Sequence, residues 1–473
     1  MVWEACTDVK VAVVGLDSAD WTLLDSWLPH LPHIAEIRRE GVSGRLATCK
    51  PAVTIPAWKC YSTGKNPGKL GIFWFAYPDF SKRRLLVNLP GDIAGNIWDY
   101  VPNALVVNTP GTFPPRTIDG VLIAGFPCPE GLPFATPPWV LQQLPGYRVN
   151  SGVPPGEPGF PEEARRLIAS RFDAFGKLAP RFHFGQVTVF YIDEMYHLYG
   201  SDPVVLDAWR MIDEEIGKIM EFADNVILVS DHGSGPLRHF TNIVPRLREA
   251  RAFRTRRNPW KALSGVVGKA AHSAPPVARH AAERILPPKL RDAIRNRLEP
   301  MDDWLPSAQE QFRLRVDWES PVVPLNQLVY ANPNARRGKG SAADAMASLE
   351  GLPGVVRIWR KEEIYTGSKV SSAPDFWIEA EPGVEIVARF DEEWETKPPE
   401  RGKGWIVNHR AEGIFGFWGK DVDPVHLDRA SIFDMCPTIL AFFNIPRPRD
   451  VDGSVLPVIR RGPRGSQQTG PGN

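Results

Sequence analysis

The sequence predicts an α/β protein in which a mainly parallel sheet is sandwiched by helices. Short apolar runs rich in valine alternate along the chain with longer segments whose apolar residues recur at helical spacing. The short runs are apolar throughout, which is typical of parallel strands buried on both faces. Aspartate follows several of these runs, at the strand end where such sheets bind their ligands.

The first predicted element is a strand at residues 9–16, which ends at Asp17. A helical pattern follows at residues 20–40, with Gly41 as its stop. The alternation then repeats, with strands predicted at residues 104–107, 121–124, 187–192 and 226–229 and helices at residues 162–175 and 204–222. Strand-like and turn-like pieces return between residues 317 and 387.

The chain has 473 residues, more than one ordinary core holds, so we expect a principal domain with insertions. Residues 251–300 contain twelve Lys or Arg and three Asp or Glu, a local net charge of +9. We predict a catalytic domain formed by residues 1–250 and 311–460, a basic helical insertion or cap at 251–310, and a disordered tail at 461–473. The insertion is open to three interpretations: a solvated face, a lid that attracts anionic substrate, or a contact with anionic lipid.

The composition of the chain indicates the cellular compartment in which we expect the protein and the kinds of partner that it binds. The five cysteines are scattered and form no CxxC pair, which suits a reducing compartment: Cys6, Cys49, Cys60, Cys128 and Cys436. No run of about 18 apolar residues is present, so we predict no transmembrane segment, and the apolar stretch near the N-terminus is too short for a signal peptide. We expect a cytoplasmic protein. Its net charge of +1 gives no global attraction to nucleic acid, and its oligomeric state is open.

Six side chains have the chemistry of metal ligands. Three aspartates terminate or follow apolar strands, and three histidines lie beside two of them and near the C-terminus: Asp17 in VVGLDS, Asp193 and His197 in VFYIDEMYH, Asp231 and His232 in ILVSDHG, and His409 in VNHRAEGIFG. Zinc accepts these ligand types, and manganese or iron also fits. The set suffices for two ions, which at about 3.5–4 Å separation can hold both the attacking and the leaving oxygen of an in-line displacement. By contrast, we expect His30 and His33 in LPHLPHI to be surface residues.

The candidate nucleophile is Thr54 in KPAVTIPAWKCYSTG. Pro56 favours the first turn of a helix and Gly64 can close it, which places Thr54 at a helix N-terminus. Free amide groups and the helix dipole attract a phosphate there. A metal ion that binds the hydroxyl would lower its pKa and make it a competent nucleophile. No His–Asp relay lies beside Thr54 in the sequence, which favours phosphoryl transfer over acyl transfer.

The ordered set Asp, Thr, Asp-x3-His, Asp-His, His resembles that of the alkaline phosphatase superfamily. It is most similar to the branch of nucleotide pyrophosphatases/phosphodiesterases and the predicted phosphohydrolase/phosphomutase proteins. Matching stretches run from the first strand to about Gly453 and include GLDSADWTLLDSWLPHLPHI, SGRLATCKPAVTIPAWKCYSTGKNPGKLGIFWF, SDHGSGP and NHRAEGIFGFWG. The resemblance implies an alkaline phosphatase-like core. It also implies one metal held by Asp193, His197 and His409, and a second held by Asp17, Asp231, His232 and Thr54.

The same resemblance implies two divalent ions, usually zinc with manganese as an alternative, and a phosphothreonine intermediate on Thr54. Our first hypothesis is a phosphodiesterase or nucleotide pyrophosphatase that acts on a small phosphorylated metabolite. A phosphomonoesterase or phosphomutase on the same site is the second hypothesis, and an inactive relative that binds phosphorylated ligands is the third. The aromatic residues Trp58, Trp74 and Tyr77 favour a diester, because they could form a slot for its leaving group.

Two other branches fit poorly. Sulfatases need Cys or Ser followed by x-Pro-x-Arg, whereas Thr54 is followed by Ile-Pro-Ala, and the phosphoglycerate mutases of the superfamily use serine. Leu70 stands where many relatives have a histidine, which removes a polar group but no metal ligand.

Overall fold

A nine-stranded sheet forms the centre of the computed structural model, which describes residues 10–256, 312, 315–335, 340–390 and 393–460. The strands of the described chain are β1 (Val11–Leu16), β2 (Val42–Ala47), β3 (Ala76–Asp79), β4 (Arg84–Val87), β5 (Ala104–Val107), β6 (Gly120–Ile123), β7 (Ala135–Thr136), β8 (Phe184–Val189), β9 (Asn225–Val229), β10 (Gly233–Pro236), β11 (His239–Asn242), β12 (Val322–Leu325), β13 (Leu328–Ala331), β14 (Val355–Arg360), β15 (Phe376–Ala380), β16 (Val384–Val387), β17 (Glu395–Thr396), β18 (Val407–Arg410), β19 (Glu412–Gly419) and β20 (Arg429–Ser431). The large sheet has the order β20-β2-β19-β9-β1-β8-β5-β6-β7.

Helices cover both faces of this sheet. The helices of the described chain are α1 (Trp21–Trp27), α2 (Pro32–Glu40), α3 (Thr54–Thr63), α4 (Pro67–Leu70), α5 (Ile97–Tyr100), α6 (Phe160–Leu178), α7 (Tyr191–Tyr199), α8 (Pro203–Phe222), α9 (Val244–Glu249), α10 (Ala342–Leu349), α11 (Lys361–Ile364) and α12 (Ile432–Phe442). Alternate residues of β1 divide the core: Ala12 and Val14 pack with α2, α6 and α8, while Val11 and Val13 pack with α3 and α12. This two-sided burial explains why the strand is apolar at every position.

Most neighbouring strands of the large sheet are parallel. The pairs β9-β1, β1-β8, β8-β5, β5-β6 and β2-β20 are parallel, and those that involve β7 or β19 are antiparallel. The predicted α/β fold with a mainly parallel, helix-covered sheet is therefore confirmed.

Two of the predicted elements have different bounds in the structure. The pattern at residues 20–40 forms two helices, because Pro29 and Pro32 interrupt the backbone ladder and a short 3₁₀ turn at Leu28–His30 joins α1 to α2. The strand predicted at 187–192 is shifted to Phe184–Val189, and α7 begins at Tyr191. Residues 190–192 are apolar because they lie in the core, and an apolar run does not distinguish a buried strand from a buried helix.

A second, smaller sheet has the antiparallel order β12-β13-β15-β14 and its own apolar cluster with α9 and α10. The predicted helical insertion at 251–310 lies outside the described residues except for 251–256, and the predicted tail at 461–473 lies wholly outside them. The division of the chain into a catalytic domain and a cap stays a prediction.

Asp213 on α8 stabilises the start of α2. Its carboxylate accepts hydrogen bonds from the Ile34 amide (2.8 Å), the His33 amide (3.2 Å) and His33 Nδ1 (2.9 Å). The imidazole of His33 thus contacts the cap of its own helix. The carboxylate itself is buried.

Replacing Asp213 by alanine is expected to lower the free energy of unfolding by about 2–3 kcal/mol, because two amide groups at a helix N-terminus lose their acceptor. Asp207→Ala on the exposed face of the same helix, where the carboxylate contacts Arg210, is the matched control and should cost at most about 0.5 kcal/mol. Urea unfolding measures both changes. Equal effects of the two substitutions would show that the capping contact contributes nothing specific.

Candidate active site

Three neighbouring parallel strands end at the same edge of the large sheet and deliver the three aspartates. In the order β9-β1-β8, Gly15 pairs with Val229 and Leu16 with Val189, so the strand ends are level. Asp17 directly follows β1, and Asp231 follows β9 after one residue. Asp193 lies in the first turn of α7 instead of at the end of its strand, which corrects the predicted position. All three carboxylates are buried.

Each of the three histidines presents its Nε2 atom to the site, because its Nδ1 atom is used in a hydrogen bond. Each Nδ1 donates to a backbone carbonyl: His197 to Val407 (2.7 Å), His409 to Ala52 (2.9 Å) and His232 to Gly233 (3.2 Å). Since a carbonyl oxygen only accepts, these bonds fix the tautomer of the neutral ring, in which Nε2 carries the lone pair that a metal ion can bind. Metal-binding histidines show this arrangement, in which an outer hydrogen bond orients the ring.

The first group of predicted ligands converges around Asp193. His197 Nε2 lies 3.2 Å from Asp193 Oδ1 and 3.0 Å from His409 Nε2, and His409 Nε2 lies 3.8 Å from the same carboxylate oxygen. His409 lies on β18. This strand pairs with β10, which begins directly after His232. The structure therefore brings His409 to Asp193 and His197, which lie more than 200 positions earlier in the sequence.

The second group surrounds His232. Its Nε2 lies 3.1 Å from Asp231 Oδ2, 3.7 Å from Asp17 Oδ1 and 3.4 Å from the Thr54 hydroxyl. The ring of His232 also stacks on that of His409, with 3.7 Å between the ring centroids. His232 consequently lies between the two groups. Its Nε2 atom is also close enough to Asp193 and His409 to bind a metal ion together with them.

The atoms that face the centre of the site fit divalent cations. Asp17 Oδ1, Asp193 Oδ1 and Asp231 Oδ2 are buried and accept no hydrogen bond from the described residues. Burying a carboxylate oxygen without a partner is costly, so these three oxygen atoms require a positively charged group to compensate their charge. Three carboxylate oxygens, three imidazole nitrogens and one hydroxyl form a donor set that zinc or manganese accepts.

Burial and the charges of neighbouring groups shift the pKa values of these side chains. Burial raises the pKa of Asp17, and the charges of Asp231 and Asp193 raise it further. Burial also lowers the pKa of His232 to about 4, so this imidazole stays neutral. For His197, burial opposes the charged form but the adjacent Asp193 outweighs it and raises the pKa to about 9. Such strong and opposed shifts within one cluster are typical of a functional site.

Trp58 holds Asp17 in place, a role that the sequence did not indicate. Its indole N–H donates to Asp17 Oδ2 (2.9 Å), and the ring is fully buried on α3. The close approach requires Gly15, because a Cβ at that position would lie 2.7 Å from the indole. Trp58 therefore does not line a substrate slot, contrary to our expectation, whereas Tyr77 is 40% exposed. A similar support is Trp405, whose ring stacks on His197 at 3.7 Å.

Thr54 lies where the sequence predicts, at the N-terminus of α3, as the first helical residue after the N-cap Val53. Gly64 ends the helix in the left-handed conformation with φ 67°. The first intrahelical bond runs from the Ala57 amide to the Val53 carbonyl (3.0 Å), and Pro56 has no N–H. The amide groups of Thr54 and Ile55 are therefore the donors that this helix end can offer an anion.

A family model described as type I phosphodiesterase / nucleotide pyrophosphatase matches residues 11–406. The chain belongs to this family. Its members are metal-dependent phosphoric ester hydrolases of the alkaline phosphatase superfamily, so the predicted superfamily and enzyme class are confirmed. A search among curated proteins gives no match.

Solved structures of two other enzymes share the fold over nearly the whole chain. Phosphonoacetate hydrolase from Sinorhizobium meliloti 1021, in complex with phosphonoacetate, has a TM-score of 0.58 at 15% identity and covers 93% of this chain and 96% of its own. Human ectonucleotide pyrophosphatase / phosphodiesterase 5 has a TM-score of 0.55 at 15% identity, with 94% and 97% covered. An inactive variant of the murine protein, in complex with AMP, has a TM-score of 0.53 at 14% identity, with 92% and 95% covered.

Within the described part of the chain, every helix is too short or too polar to cross a membrane.

Proposed function

We propose that this phosphohydrolase cleaves a phosphodiester bond in a small phosphorylated metabolite, with Thr54 as the nucleophile. The observation that carries the proposal is the position of the Thr54 hydroxyl, at a helix N-terminus and 3.4 Å from His232 Nε2 within the cluster of three aspartates and three histidines. The family description supports a diester or pyrophosphate substrate. The AMP bound to the murine structural neighbour supports a nucleotide as one candidate.

Two divalent ions would be held by the two groups of side chains. Asp193, His197 and His409 would hold one ion, and Asp17, Asp231, His232 and the Thr54 hydroxyl would hold the other. The donor set favours zinc, with manganese as the alternative. When bound, such ions lower the pKa of a hydroxyl or water and neutralise charge on the phosphoryl oxygens.

The chain's own groups then account for positioning and for the covalent step. The amides of Thr54 and Ile55 and the dipole of α3 bind a non-bridging phosphoryl oxygen. Thr54 Oγ1 attacks phosphorus and gives its proton to solvent water. The bond from phosphorus to the leaving oxygen breaks, this oxygen takes up a proton from water and leaves as the alcohol, and a phosphothreonine remains. Water attacks the same phosphorus in the second step, releases Thr54 and restores the original configuration, because two inversions give net retention.

The proposal is tested with bis-p-nitrophenyl phosphate and p-nitrophenyl phosphate as substrates of the zinc- or manganese-loaded protein. We expect kcat/KM for the diester to exceed that for the monoester by at least about tenfold, which corresponds to about 1.4 kcal/mol of additional transition-state binding. Release of p-nitrophenolate gives both rates. A protein without added metal, treated with chelator, serves as the control.

Two other outcomes correspond to the alternative functions. Turnover of the monoester alone would replace the proposal by a phosphomonoesterase or phosphomutase that uses the same residues. If neither ester is cleaved, and a panel of nucleotides and sugar phosphates is not cleaved either, the chain is a ligand-binding relative without turnover.

A further inference from the structure

The segment at residues 401–407, which we call the strap, lies along the end of the helix α7 that carries His197. The Gly402 amide donates to the Leu198 carbonyl (2.9 Å), and the Ile406 amide donates to the His197 carbonyl (2.8 Å). Both carbonyls are in the last turn of α7, where a helix has no amide of its own to offer them. The strap therefore supplies hydrogen bonds that the helix end lacks.

The strap also contacts the imidazole of His197 in two ways. The Val407 carbonyl accepts from His197 Nδ1 (2.7 Å). The indole of Trp405 lies flat on the imidazole, with 3.7 Å between the ring centroids and 2° between the ring planes. The hydrogen bond constrains rotation within the plane of the imidazole, whereas the stacked indole constrains tilting out of that plane. Together the two contacts hold Nε2 beside Asp193 Oδ1 (3.2 Å).

Trp405 has a second set of contacts, which connects it to another sheet. It packs against an apolar cluster of three buried side chains, Leu237, Phe240 and Val387. Phe240 lies on β11 and Val387 on β16, which are parallel neighbours in a three-stranded sheet of order β16-β11-β17. Trp405 consequently contacts both this three-stranded sheet and a candidate metal ligand.

Stacking on an indole favours the metal-bound state of an imidazole. An ion at Nε2 withdraws electron density from the imidazole and makes the ring more positive. The face of an indole is electron-rich, so it attracts a positively charged ring more strongly than a neutral one. The Trp405 ring therefore stabilises His197 most when an ion is bound, and it also holds the imidazole in the orientation that binding requires.

We propose that Trp405 is a positioning residue for the metal ion of the first group, Asp193, His197 and His409, and that it makes the affinity for this ion depend on the three-stranded sheet. The inference rests on the set of metal ligands in the proposed function. Because coupling between two sites is reciprocal, binding of the ion also stabilises the contact of the strap with the apolar cluster around Phe240.

The test measures zinc binding to the chelator-treated full chain by isothermal titration calorimetry with zinc chloride. Trp405→Leu removes the aromatic ring, and Trp405→Phe keeps a smaller one. Trp418→Leu is the matched control, because Trp418 is also partly buried but pairs with Val226 near the start of β9, at the opposite edge of the large sheet from the ligand candidates. A further variant, His197→Ala, identifies which of the measured dissociation constants belongs to the first group.

For the wild type we expect two zinc ions per chain. Trp405→Leu should raise the dissociation constant of the first-group ion about thirtyfold and that of the other ion less than about threefold. Trp405→Phe should raise the first-group constant only about threefold, because a smaller ring still stacks on the imidazole. This smaller change tests the inference even if the leucine variant does not fold. Trp418→Leu should leave both constants unchanged.

A double-mutant cycle tests the dependence on the three-stranded sheet. Phe240→Ala truncates a side chain of the apolar cluster and changes none of the ligand candidates. In the wild-type background it should raise the dissociation constant of the first-group ion about fivefold, because Trp405 loses a packing partner. In the Trp405→Leu background it should have no further effect on that constant, since the two side chains act through one contact.

Three results would overturn the inference and leave the proposed function intact. Unchanged zinc affinity in Trp405→Leu would show that Trp405 only fills space beside the strap, and equal weakening of both ions would show a general loosening of the site. Additive effects of Trp405→Leu and Phe240→Ala would show that the three-stranded sheet does not act through Trp405. If the wild type binds neither zinc nor manganese, the proposed function and this inference both fail.

Discussion

Replacing Thr54 by alanine is expected to lower kcat/KM for bis-p-nitrophenyl phosphate by at least about 10⁴-fold, because the substitution removes the only atom that forms the covalent intermediate. The fold should tolerate it. Thr54 is buried at the first position of α3, where alanine is compatible with the helical backbone, and the lost hydroxyl contact to His232 Nε2 is long (3.4 Å). We therefore expect a change in the free energy of unfolding of only about 1 kcal/mol.

Two variants separate loss of the nucleophile from damage to the helix. Thr63→Ala removes a buried threonine hydroxyl from the other end of α3, where Oγ1 donates to the Lys59 carbonyl (2.6 Å), and should keep most of the activity. Thr54→Ser returns a hydroxyl to the same place and should recover turnover to within about 100-fold of the wild type. Activity of Thr54→Ala above one-tenth of the wild-type value would exclude a phosphothreonine mechanism, and so would inversion of configuration at phosphorus.

The sequence was sufficient to predict the fold because its signals are local. A valine-rich run such as that of β1 is apolar at every position, and this alone indicates a strand between two helical layers. The errors lie where one local rule competed with another. Prolines divide the helix predicted at 20–40, and the apolar pattern of β8 continues without a break into the start of α7.

The site was predictable to the extent that its residues follow strand ends or begin a helix. Asp17, Asp231 and Thr54 lie where their local patterns place them. The groups that orient the ligands could not be predicted in this way, because the contacts join distant segments. Trp58 reaches Asp17 across 41 positions, and the Val407 carbonyl orients His197 across 210. A tryptophan in an apolar helix gives no sign that its N–H has a carboxylate partner.

Replacing Asp231 by asparagine is expected to remove metal-dependent stabilisation while leaving the metal-free protein folded. Asp231 Oδ1 accepts from the Ser18 amide (3.3 Å), and Oδ2 faces His232 Nε2 (3.1 Å). Burial, and then the charge of Asp193, raise the pKa of Asp231, so without a cation the carboxyl favours its neutral form and can donate to His232. An asparagine amide preserves both contacts, with its oxygen toward Ser18 and its N–H₂ toward His232.

With zinc present the two proteins should differ strongly. A carboxylate oxygen can bind the cation, whereas the N–H₂ group presents hydrogens to it, so we expect zinc affinity to fall at least about 100-fold, equivalent to a loss of about 2.7 kcal/mol of ligand-dependent stability. Thermal unfolding with and without zinc measures this difference, and Asp173→Asn, an exposed carboxylate paired with Lys177, is the matched control. A zinc-induced rise in melting temperature that survives in Asp231→Asn would remove Asp231 from the ligand set.

The same variant should also alter the pH dependence of the metal-free protein. A carboxyl whose pKa is raised by folding binds a proton in the folded state at pH values where the unfolded chain, with an ordinary carboxyl pKa of about 3.9, has already released it. Stability of the wild-type protein therefore falls as the pH rises above that value, and Asp231→Asn should lose less stability over this range. Both effects of Asp231→Asn arise because the buried carboxylates require positive charge beside them. A bound cation supplies that charge in the metal-loaded protein, and a bound proton supplies it in the metal-free protein.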